Sequence, residues 1–167
     1  MLSSLSKSLG TAVVIAAMSA GSASAQGAPL SAAESDPNVM GWMQGTPPPS
    51  DRLITAASPD FFAFPKLRWT VCNIRNLFGT VPTSRGQETP VPLDYVAMAE
   101  FADMRQEIDA LSFLPIGGDT PMTFEESLGV NYTDGMLIIH EGEVVYERYS
   151  GCLTEDGRHA AMSMTKS

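Results

Sequence analysis

The densest apolar patterning lies towards the end of the chain, in two short runs. Met136-Leu137-Ile138-Ile139 is apolar without a break, and residues 143–149 mix acidic with apolar positions. Glu141-Gly142 between them is a two-residue turn signal, so the two runs predict a β-hairpin. The unbroken run predicts a strand covered on both faces, and the mixed run a less buried partner. Such a hairpin needs further strands or a helix to be stable. Upstream, Val96, Met98, Phe101, Met104, Ile108 and Leu111 recur near helical spacing, which predicts a helix capped by Asp94 and running to about Leu111. Its acids Glu100, Asp103, Glu107 and Asp109 read as a solvated face. Thr123-Phe124-Glu125-Glu126 is a capping box that opens a short helix ending near Gly129. Within residues 61–78, Trp69-Thr70-Val71 predicts a strand and residues 74–78 a short helical turn, with Trp69 as a core aromatic. Residues 79–92 and 115–121 are loops, broken by Pro and Gly.

Composition narrows the class. The 167 residues allow one domain at most; 44% are apolar and 17% charged, a globular make-up. A net charge of −9 argues against nucleic acid or an anionic membrane as a partner, since both call for clustered Lys and Arg. Residues 1–25 read as a secretory signal peptide: Lys7, a short apolar stretch over residues 9–18, then Ala23-Ser24-Ala25 as the cleavage pattern. A membrane span needs about 20 apolar residues, and Ser19, Gly21 and Ser22 interrupt this run too soon. The mature chain is therefore expected in the periplasm or secreted. Residues 26–60 form a Pro- and Gly-rich lead segment, expected to wrap the domain in extended form and to be pinned by Trp42, Met40 and Met43. Residues 61–167 form the domain proper.

Candidate chemistry is sparse until the last nine residues. No Cys-x-x-Cys or paired-histidine spacing occurs, so the sequence supplies no zinc site, and no phosphate-binding or dinucleotide fingerprint follows Gly117-Gly118. No cofactor and no metal are expected. An exported protein permits a bond between Cys72 and Cys152, but spacing does not show that they meet, and two partly buried thiols are the expectation. Arg68, Arg75 and Arg85 could orient a substrate carboxylate, or serve as ion-pair and surface arginines. Ser163-Met164-Thr165-Lys166 fits the Ser-x-x-Lys pattern, in which a serine nucleophile has a lysine one helical turn on. Residues three apart share a helix face, so the amine can stand beside the hydroxyl and take its proton. The four-residue pattern alone is common; Ser4-Leu5-Ser6-Lys7 also matches it inside the leader.

Context gives the pattern its weight. The run YTDGMLIIHEGEVVYERY followed by DGRHAAMSMTKS resembles the serine hydrolases of the β-lactamase and penicillin-binding-protein superfamily, class C-like branch. It is most similar to the 6-aminohexanoate-dimer hydrolase group and its esterase-like relatives. GWMQGTPPPSDRLI and FPKLRWTVCNIRNLFGTVPTSRG resemble that group's N-terminal region, so the likeness covers residues 40–167. It implies an α+β fold, the N-terminal portion of a β-lactamase/DD-peptidase-like domain in which an antiparallel sheet is flanked by helices. It also implies acyl transfer on a small-molecule amide or ester, with Ser163 as nucleophile and Lys166 as base. The family's tyrosine and second oxyanion donor would lie beyond Ser167; Tyr95, Tyr132, Tyr146 and Tyr149 all precede the serine, and none matches. On this reading the 167 residues are a truncated or partial product, inactive alone. His159 is expected as a structural hydrogen-bond partner and His140 as an exposed strand end. A penicillin-sensing protein or a non-enzymatic product are the alternatives, and the oligomeric state is open.

Overall fold

A computed structural model describes residues 29–83, 86, 87, 89 and 91–166, with the side chains of 165 and 166 left aside. The expected leader and Arg85 lie outside the described residues. The chain is mixed α+β, with four α-helices and two small sheets among the described residues. In order these are α1 (Pro37–Met40), α2 (Leu67–Leu77), β1 (Asp94–Tyr95), α3 (Met98–Ala110), β2 (Ser112–Phe113), β3 (Met122–Thr123), α4 (Phe124–Val130), β4 (Gly135–His140) and β5 (Glu143–Tyr149). A 3₁₀ turn, Met162–Lys166, closes the series.

The hairpin forms as the turn chemistry requires. His140 pairs with Glu143, leaving Glu141 and Gly142 as the loop, with φ of 53° and 93°. Two positive φ values make a turn whose twist matches the flanking strands, and Gly142 takes the second at no steric cost. The burial expected of the two strands is reversed. β5 lies between β4 and the short parallel β1, and it carries the core: Val144, Val145 and Tyr146 are all buried. β4 is the edge strand, and its Leu137 and Ile139 are 42% and 48% exposed. A central position decides burial here more than the apolar count of the strand. Ile138 pairs with Tyr146 and Ile139 with Val144, so Val145 forms a bulge that breaks the in–out alternation along β5.

α3 packs against β5 and α4. Phe101, Met104 and Ile108 form its half-buried stripe, while Met98 and Leu111 at the predicted ends stay exposed. Asp94 does not cap this helix: it pairs with Glu143 in β1, and the N-cap is Ala97. Asp109 also departs from the solvated face. It accepts a 2.7 Å hydrogen bond from the Tyr146 hydroxyl and faces Arg148 at 3.7 Å, while Arg148 also reaches Glu125 at 3.1 Å. The capping box at α4 is complete, with Thr123 Oγ1 accepting from Glu126 N–H and Glu126 Oε2 accepting from Thr123 N–H.

Two expectations fail nearer the N-terminus. Trp69-Thr70-Val71 lies inside α2, so tertiary packing overrides β propensity; Thr70 is fully buried and its hydroxyl donates to Phe61 O at 2.6 Å. The lead segment is not extended throughout. It makes the one-turn α1, capped by Asp36, and buries Ser35 and Ile54. Trp42 is half-buried under the Lys66 ammonium, 5.6 Å from the ring centroid, and so reaches the domain, while Met43 Sδ accepts from Ile54 N–H and ties the segment to itself.

Candidate active site at the Ser163 turn

The loop between β5 and the 3₁₀ turn is tied down at both ends. Cys152, just after β5, is bonded to Cys72 of α2, across a sequence separation of 80. This corrects the expectation of two separate thiols: the fold, not the spacing, brings α2 and this loop side by side. At the far end, Ala160 N–H donates to Val71 O at 2.8 Å, and His159 Nε2 lies 3.3 Å from Asp134 Oδ2.

Asp134 is the hub. Its carboxylate sits just before β4 and faces Arg68 Nη2 of α2 at 3.2 Å, and both side chains are more than nine-tenths buried. Its Nη1 donates to Ala32 O at 2.6 Å and Ser35 Oγ at 3.0 Å, its buried Nε has no hydrogen-bond partner, and the guanidinium stacks 5.4 Å above the Tyr132 ring. Tyr132 in turn donates to Leu30 O and meets Phe64 edge-on. One buried ion pair thus joins the lead segment, α2, the approach to β4 and the loop to Ser163. Arg68 is an ion-pair arginine and not an open carboxylate ligand; Arg75 is exposed and donates to Thr80 Oγ1. Gly151 passes so close that an added Cβ would stand 2.3 Å from Asp134 Oδ1 and 2.8 Å from Arg68 Nη2. Its φ of +59° also favours glycine.

Ser163 is exposed in the 3₁₀ turn, directly after Met162, whose φ is 47°. Met164 N–H donates to Ala161 O at 3.0 Å and starts the turn. A 3₁₀ helix has three residues per turn, so positions 163 and 166 of its backbone fall on one face. A cleft of ≈ 460 Å³ lies beside the turn, lined by Tyr132, Asp134, Gly135, Leu153, His159 and Met164 among others.

Both ring nitrogens of His159 are engaged elsewhere, with Nδ1 at 3.1 Å from Ala160 O and Nε2 on Asp134. It anchors the loop, as expected, and His140 is exposed as expected. Three of the upstream tyrosines, Tyr95, Tyr146 and Tyr149, are held as neutral phenols. Tyr95 and Tyr149 both donate to Glu147, which raises both, Tyr149 to about 12. Burial pushes Tyr146 up, and its bond to Asp109 adds to that. The sequence hid Asp134 because Thr133-Asp134-Gly135 reads as ordinary turn chemistry; only its partner, 66 residues away, makes it structural.

Among the described residues this is a mixed α+β domain whose ion-paired hub and disulfide converge on the segment that carries Ser163. Comparison with protein-family models, with curated proteins and with solved structures finds no match for this chain.

Proposed function

We propose that this chain carries the nucleophile of a serine hydrolase with a β-lactamase/DD-peptidase-like fold, acting on amide or ester bonds of a small molecule. The observation that carries the reading is the Ser-x-x-Lys pattern lying within one 3₁₀ turn, with an exposed serine and a tethered approach. Ser163 Oγ attacks the acyl carbon as Lys166 takes up its proton, and the leaving group departs from the tetrahedral intermediate. The Ser163 N–H is a donor suited to the developing oxyanion. Water then attacks the acyl-enzyme and frees Ser163. The protein is exported, and a disulfide among its described residues supports that reading, because such bonds persist in oxidising compartments.

The test is ester or amide hydrolysis by the full-length protein, with Ser163→Ala and Lys166→Ala compared. Ser163→Ala should abolish turnover. Lys166→Ala should lower kcat by about 10²- to 10⁴-fold, the usual contribution of a general base, with an unchanged circular-dichroism spectrum. Turnover unaffected by either substitution would overturn the reading.

A further inference from the structure

The loop that leads to Ser163 also gathers a set of donors that the proposed hydrolysis does not use. The Sγ atoms of Cys72 and Cys152 and a ring nitrogen of His159 all lie within 4.8 Å of one another. Asp134 Oδ2 stands 3.9 Å from Cys152 Sγ and 3.3 Å from His159 Nε2. The ligands come from α2, from the turn after β5 and from the far end of the loop. No short spacing in the sequence announces them, because the fold alone assembles the set. With the two sulfurs bonded to each other, no thiolate is offered.

We infer that reduction of Cys72–Cys152 turns this cluster into a site for Zn²⁺, held by Cys72, Cys152 and His159 with the fourth position open to water. A dithiol reductant gives two electrons and two protons to the disulfide, which becomes two thiols while the dithiol closes to its own disulfide. Zn²⁺ then displaces both thiol protons to solvent and is bound by two thiolates and a neutral imidazole. Two sulfurs each about 2.3 Å from a tetrahedral zinc lie about 3.8 Å apart, so side-chain rotation suffices once the bond is cut.

Three features of the surroundings fit a metal. Ligating imidazoles place their other ring nitrogen on a carboxylate or a carbonyl. His159 has Asp134 at Nε2 and Ala160 O at Nδ1, so the nitrogen that ligates gives up its partner and the other keeps a carboxylate or a carbonyl. Charge also balances, since two thiolates neutralise the dication while Arg68 neutralises Asp134. Access is open, because the His159 side chain is 36% exposed. The cation would replace a covalent tether between α2 and the Ser163 loop with a coordinate one, so reduction would exchange the link rather than lose it.

Cobalt(II) is the probe, titrated anaerobically into the full chain before and after phosphine reduction. Reduced protein is expected to bind one Co²⁺, with a thiolate-to-cobalt charge-transfer band and the strong visible bands of a tetrahedral ion, and Zn²⁺ should displace it. Oxidised protein and Cys72→Ser/Cys152→Ser should show neither band. His159→Ala should weaken binding at least as much as the roughly 10- to 100-fold caused by losing an outer partner, and His140→Ala should leave it unchanged. Thermal melts of the reduced chain guard against binding to unfolded protein: Zn²⁺ should raise Tm. The inference is overturned if reduced protein binds no Co²⁺, if affinity is the same in His159→Ala and His140→Ala, or if Zn²⁺ leaves the reduced melt unmoved.

Discussion

At the scale of single residues, Asp134 and Arg68 are coupled, because each buried charge has the other as its countercharge at 3.2 Å. Removing one member leaves an uncompensated charge in the interior, which costs about 3–5 kcal/mol. Asp134→Ala should therefore lower the urea midpoint strongly. Arg68→Met together with Asp134→Ala should cost less than the two single changes summed, since no lone charge remains. Equal and additive losses would argue that the pair is not coupled. Glu147 offers a second residue-scale test. It accepts from both Tyr95 and Tyr149, and Tyr149 is pushed up to about 12 by that bond. A phenol whose folded pKa lies above its unfolded value of about 10 keeps its proton longer when folded. Its stabilisation is complete below pH 10 and is lost as pH rises from there to about 12. Ultraviolet titration of Glu147→Gln should bring the Tyr149 ionisation back towards 10, and an unchanged titration would contradict the assignment.

At the scale of elements, the local signals were legible and the long-range ones were not. The capping box, the two-residue hairpin loop and the half-buried stripe of α3 each depend on residues within a turn or two, so the sequence reveals them. Thr123→Ala should cost about 1 kcal/mol by thermal melt, as lost caps do, and a neutral result would mean that the box is not formed in solution. Long-range partners decide the rest. Strand order made β5 the buried strand although β4 is the more apolar, and packing made a helix of Trp69-Thr70-Val71. Asp109 left its solvated face because Tyr146 and Arg148 lie opposite it. The candidate site divides in the same way. Ser163 and Lys166 are visible as a four-residue pattern, whereas Asp134, Arg68 and the Cys72–Cys152 bond exist only once α2 and the loop after β5 are neighbours.

At the scale of the whole molecule, those long-range ties give the Ser163 segment its place. The disulfide closes a span of 80 residues, and loss of such a link typically costs about 2–5 kcal/mol. Cys72→Ala/Cys152→Ala should accordingly lower Tm and loosen residues 151–161 in hydrogen exchange; a melt equal to that of the intact protein would show the link to be idle. The most direct measurement on that tethered segment is labelling of the full-length protein with a fluorophosphonate, followed by peptide mass spectrometry. One adduct is expected, on Ser163, absent in Ser163→Ala and slowed in Lys166→Ala. An adduct on another serine that persists in Ser163→Ala, or no serine-dependent adduct at all, would contradict Ser163 as the nucleophile.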